Sequence, residues 1–147
     1  MRFSIAASIA CLLALAQAAP TLNELVARKS VNDCQDSSFI DQGSEGSPDI
    51  SDCQHIVENI RGGGTWKVSQ IGAQYTLVNF GTCAFGAEGN AANTAYMGNQ
   101  DIMDIINESI AKFGRPDGKV GAKGTVDCKS DRGAMGVGRL DWGIYKV

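Results

Sequence analysis

The stretch AQYTLVNFGTCAFG, Ala73 to Gly86, decides how this chain is read: it is the most strand-like run and holds a lone cysteine between glycines and aromatics. Thr76, Val78 and Phe80 alternate with Tyr75 and Leu77, the two-residue period of a half-buried strand. Read as one long strand, it predicts an antiparallel hairpin with the shorter TWKVS, Thr65 to Ser69, just before it. Upstream, Cys53, Ile56, Val57 and Ile60 fall at i, i+3, i+4 and i+7, which predicts a helix over 51–61, stopped by Gly62-Gly63-Gly64. Downstream, AEGNAANTAYMG reads as a polar linker into a second helix over 100–113, with Asn99 as N-cap. Ile102, Ile105, Ile106, Ile110 and Phe113 share one face of it, Asp104, Glu108 and Ala111 point away, and Glu108 to Lys112 is a favourable i,i+4 pair. Gly114 and Pro116 end it. KVGAKGTVDC and RLDWGIYKV, separated by the turn-rich SDRGAMGVG, read as strands, with Leu140, Trp142 and Ile144 facing inward. The order α-β-β-α-β-β predicts an α+β fold: two helices packed on one face of an antiparallel sheet of about four to five strands, in a disulfide-stabilised two-layer sandwich.

Whether Cys83 is a nucleophile, a metal ligand or a staple depends on its compartment. The N-terminus, MRFSIAASIACLLALAQAAP, has a basic residue, an apolar run and Ala16-Gln17-Ala18 ahead of Pro20, the pattern of a secretion signal over 1–18 cut after Ala18. Residues 19–32 then read as a leader or mobile arm containing the dibasic pair Arg28-Lys29, and 33–147 as one domain. Removing the signal removes Cys11 and leaves Cys34, Cys53, Cys83 and Cys128, an even set in an oxidising compartment. Their spacing has no paired-ligand signature and His55 is the only histidine, so no metal site is expected. A nucleophilic cysteine needs a base and must stay reduced, and both conditions are poorly met. Cys83 is therefore read as half of a disulfide. The first helix runs one way and the chain returns through the strands, which favours Cys53 with Cys83 and leaves Cys34 with Cys128, while the other two pairings stay open. A bridge closing almost the whole domain contributes on the order of 4 kcal/mol.

Other chemistry is thin. Secreted glycosidases hold two carboxylates at fixed separation, but Asp101, Asp104 and Glu108 read as the outer face of the second helix and nothing in the sequence forces a pair together. His55 reads as a surface residue, and GKVGAKGT lacks the spacing of a phosphate loop. Asn107-Glu108-Ser109 is an N-glycosylation sequon. The net charge of −3 hides an asymmetry. Asp33, Asp36, Asp41, Glu45, Asp49, Asp52 and Glu58 are the only charges over 31–60, whereas basic residues outnumber acidic ones from Lys112 onward. That is either a mixed solvated surface or a basic one used on an anionic membrane or glycan.

The ordered set Asp33-Cys34, SDCQHIVENI (Ser51–Ile60), Gly64-Thr65-Trp66, FGTCAFG (Phe80–Gly86), GNQDIMDIINESI (Gly98–Ile110), KVGAKGTVDC (Lys119–Cys128) and DWGIYKV (Asp141–Val147) resembles the fungal necrosis-inducing factor domain family. The resemblance implies a secreted, extracellular fungal effector that contributes to virulence or triggers host cell death, with no known enzymatic activity. A looser likeness, in element order and the closing aromatic strand, runs to the virally encoded killer toxin of smut fungi. It implies action on a target membrane or ion channel through basic residues, for which Lys119, Lys123, Lys129 and Arg132 are the candidates. The expectation is thus a monomeric, non-enzymatic effector or toxin with no cofactor and no nucleic-acid partner, acting on a host or competitor cell-surface component. The alternative is a wall-associated glycan-binding module. Electrospray mass of the mature protein should fall about 4 Da below that of the reduced chain, two disulfides' worth of hydrogen; an undiminished mass would show free thiols.

Overall fold

In the computed structural model, which describes residues 30–69, 74–89, 94–131 and 136–147, the deciding run is a hairpin and not one strand. Tyr75–Phe80 (β3) folds back on Cys83–Gly89 (β4) through Gly81-Thr82. Gly81 has φ +53°, at the place where a two-residue II′ hairpin takes glycine. The alternation of apolar residues carries on across this turn, which is why local periodicity does not see it. A bulge between Thr76 and Val78 shifts the register. Tyr75 thereby joins Val78 and Phe80 on the inner face and Thr76 turns outward, where its hydroxyl lies 2.7 Å from the Tyr145 hydroxyl. Phe80 remains 40% exposed, so of the two aromatics flanking the turn only Phe85 is core.

The hairpin turn is seated on the first turn of Ile50–Ile60 (α1). The Asp52 carboxylate accepts the Thr82 backbone N–H at 2.7 Å and its hydroxyl at 2.8 Å, and the next residue on each side forms the disulfide Cys53–Cys83. The stripe Cys53, Ile56, Val57 and Ile60 is buried. Asn99–Phe113 (α2) begins one residue earlier than its sequence pattern suggests: Gly98 is the N-cap, in extended backbone, and Asn99 lies inside the helix and is fully buried.

Ile40–Asp41 (β1), Ala122–Lys129 (β6) and Val137–Lys146 (β7) complete an antiparallel sheet of order β1-β6-β7-β4-β3. The hairpin expected between TWKVS and the long strand does not form. Thr65–Val68 (β2) pairs with Ala95–Gly98 (β5), inside the stretch that reads as polar linker. Ala95 and Met97 alternate with Tyr96 over too few residues to stand out beside AEGNAANT, yet both are fully buried. The fold is α+β. The helices pack on each other and, with the β2–β5 ribbon, cover one face of the sheet. On that inner face Leu140, Trp142 and Ile144 of β7 lie opposite Val126, Gly124 and Ala122 of β6 and Gly89, Ala87 and Phe85 of β4. The other face carries Lys123, Thr125, Asp127, Arg139, Asp141 and Glu88 and is open to solvent.

The segment 31–41 runs along β6 and over its inner edge. Ser37 accepts the indole N–H of buried Trp142 at 2.8 Å, and Phe39 packs edge-on against the same ring at 5.4 Å. This path needs Gly124, where a Cβ would sit 1.9 Å from the Ser38 carbonyl oxygen and 2.7 Å from the Trp142 ring. Gly124→Ala should therefore cost about 3 kcal/mol in urea unfolding, whereas Gly62→Ala, whose Cβ meets nothing within 4 Å, should change stability by no more than about 0.5 kcal/mol. Equal effects would mean that the segment does not lie where described.

Candidate functional site

Of the four basic candidates, two of the three described ones are held in ion pairs. Lys119 pairs with Asp49 at 2.7 Å and Lys129 with Asp33 at 2.5 Å, so both are buckles holding the acidic N-terminal segment onto the C-terminal half. The Asp33 carboxylate, by hydrogen bond and charge, raises the pKa of Lys129. Arg139 likewise pairs with Asp127, and Arg115 with Asp117. Two of these pairs, Lys119–Asp49 and Lys129–Asp33, join the acidic segment to the basic one. Lys123 alone of the candidates points from the sheet's solvent face with no ion pair among the described residues, and Arg132 lies outside them.

The second departure is Asp101. It belongs to the interior and not to the outer face of α2: its residue is 5% exposed, and its carboxylate accepts the backbone N–H groups of Gly98 at 2.7 Å, Asp33 at 2.9 Å and Cys34 at 3.2 Å. Beside it Asn99 accepts the Val31 N–H at 2.9 Å and donates to the Ile60 carbonyl at 3.2 Å. The end of α1, the start of α2, the end of β5 and the entering chain are thus joined at two side chains, and Cys34–Cys128 fastens the same entering chain to β6. Asp104 and Glu108 are exposed and line a cavity of about 240 Å³ with Asp101. Asp104 accepts from Gln100 at 2.6 Å and Glu108 pairs with Lys112 at 2.6 Å. His55 is held against Phe80, ring centroids 4.7 Å apart, on the outer side of α1. Among the described residues there is no cluster of three or more His, Cys, Asp or Glu able to hold a metal.

What remains is a groove of about 350 Å³ on the solvent face of the central strands, lined by Ile40, Gln74, Glu88, Lys123, Gly124, Thr125, Asp141 and Trp142. Glu88 of β4, Asp141 of β7 and Thr125 of β6 stand in one row across three paired strands. Two carboxylates directly opposite each other are unfavourable to a sheet, and neither has an ion-pair partner among the described residues. Sequence reasoning missed this row because it exists only once β4 and β7 are paired in register; the signal available was a single acidic residue at an outward position of each strand. Carboxylates, an amide, a hydroxyl and an ammonium set on paired strands offer hydrogen bonds to a polar ligand.

Residues 33–128 match the family described as "Pathogen effector; putative necrosis-inducing factor". The chain belongs to this family. Two relatives in Penicillium expansum share the domain: "Probable chitinase LysM18", 35% identical over 121 residues, and "Secreted chitinase LysM12", 39% identical over 115 residues. These alignments cover 80% and 76% of the chain but only 8% and 7% of the relatives, so the chain spans less than a tenth of the length of either protein. The matched region takes in all four paired cysteines and starts at Asp33, whose N–H is donated to Asp101.

Burial pushes the Asp101 carboxyl up from its ordinary value of 3.8; the N–H groups of Asp33, Gly98 and Cys34 pull it back, and the Asp33 charge adds to the rise. The folded protein thus holds this proton more tightly than the unfolded chain. Its contribution is present in full below pH 3.8 and is lost as pH rises through the folded value. Asp52, hydrogen-bonded by Thr82, and Asp127, by Arg139, are shifted down, and their contributions are lost as pH falls. Asp101→Ala should cost about 3 kcal/mol or more by orphaning buried N–H groups. It should also make stability rise more steeply as pH increases from 3.8, because the opposing titration is gone. Urea unfolding across the acid range measures both, and an unchanged slope would show that Asp101 is not buried.

Proposed function

We propose that this chain is a secreted effector that acts on host plant or competitor cells by binding a cell-surface component through the solvent face of its sheet, with no catalysis of its own. The observation that carries the reading is the row Glu88–Asp141–Thr125 beside Lys123 and Gln74. It sets polar groups at a cost to the sheet, on its three central strands, while the cysteines, Asp101, Asp49 and Asp33 are occupied in holding the fold together. Membership of the pathogen-effector family supports the effector role. Cell death is the expected response in a susceptible host.

A second reading is favoured by the relatives. Both are named chitinases and both carry the domain as a small part of a long chain, which suits a module that engages wall polysaccharide. The polar groove fits sugar hydroxyls as readily as a protein surface.

The test is to apply purified oxidised protein, and the double variant Glu88→Gln with Asp141→Asn, to plant leaf tissue and to competing fungal cells. The variant should be as stable as the wild type or more so and about tenfold less potent, the loss of roughly 1.4 kcal/mol of binding. Absence of any response to the wild type, or a variant of undiminished potency, would overturn the first reading. Retention of the wild type on insoluble chitin, reduced in the variant, would select the second.

A further inference from the structure

We infer that Asn107 carries an N-linked glycan and that the glycan is attached before α2 packs. Two independent observations meet at the sequon Asn107-Glu108-Ser109. Asn107 is exposed on α2, and its amide makes no hydrogen bond within the described chain. Ser109, two residues on, is fully buried, and its hydroxyl is the buried side-chain oxygen that finds no partner among the described residues. A hydroxyl sealed in a core without a partner works against the fold, and alanine would serve this helix position better on propensity and on desolvation alike. The hydroxyl therefore answers a requirement other than folding, and the sequon supplies it: the transferase reads the hydroxyl of the third residue while it modifies the first.

The chemistry is a substitution at the donor sugar. Nδ2 of Asn107 bonds to C1 of a lipid-pyrophosphate-linked oligosaccharide, the C1–O bond to the pyrophosphate breaks, and one amide proton leaves with the pyrophosphate. Because Ser109 is inaccessible once α2 is in place, transfer has to precede packing. In the folded protein Asn107 lines two adjoining cavities between α1 and α2, about 450 and 370 Å³, which also share Val57 and Arg61. The first sugars would lie in that groove and shield the helical layer, leaving the sheet's solvent face open.

The proposal rests on entry into the secretory pathway, so the experiment starts from chain recovered in the medium of a fungal host, where N-terminal sequencing establishes signal removal separately. Its intact mass should exceed that of the polypeptide by an oligosaccharide released by an endoglycosidase. Asn107→Gln and Ser109→Ala should each abolish the excess, and Ser109→Ala made without glycosylation should unfold at the same urea concentration as unglycosylated wild type or higher. In a transferase assay the reduced, unfolded chain should accept sugar and the oxidised, folded chain should not. Secreted wild type of bare polypeptide mass, an excess that survives Asn107→Gln, a clearly destabilised Ser109→Ala, or equal transfer to folded protein would each overturn the inference.

Discussion

The buried carboxylate of Asp101 is the constraint on which the rest of the molecule depends. A helix N-terminus leaves N–H groups without partners, and a carboxylate at its third position usually returns to satisfy the cap. Here the same carboxylate does that for Gly98 and also accepts the N–H groups of Asp33 and Cys34 from a segment more than sixty residues away in sequence. One side chain thereby sets where the entering chain lies against α2. Cys34–Cys128 then fixes it to β6, and the chain proceeds over Gly124 to close the core above Trp142 through Ser37 and Phe39.

That path decides what the charges do. The acidic segment 33–49 is laid along the basic segment 115–129, and Asp33–Lys129 and Asp49–Lys119 join the two at separate points. Both pairs are partly or largely exposed and add little stability as isolated ion pairs; their effect is to neutralise two charges of each segment against the other. On the sheet face away from the helices, Glu88 and Asp141 stand opposite each other, unpaired among the described residues, with Lys123 and Thr125 nearby.

Much of this was legible in the sequence where a local period reports a local fact. The stripe of Cys53, Ile56, Val57 and Ile60 gave α1, and Leu140, Trp142 and Ile144 gave the inward face of β7. The class, two helices on an antiparallel sheet, followed from the element order. Partnerships were not legible. Nothing local shows that TWKV pairs with AYMG, that strand alternation runs straight through a turn at Gly81, or that a bulge reverses Tyr75 and Thr76. Asp101 lies on the polar side of a helical wheel and is buried only because a distant segment crosses it. The candidate groove has the same origin, since its row of side chains belongs to three strands and to their register.

Native-state hydrogen exchange tests this account most directly, because it reports how each amide opens. If Asp101 anchors the entering chain as an integral part of the core, the amides of Asp33, Cys34 and Gly98 should exchange only through global unfolding, with the same free energy as Leu140 and Ile144 in β7. Exchange of Asp33 and Cys34 at the rate of an open loop while β7 stays protected would contradict it.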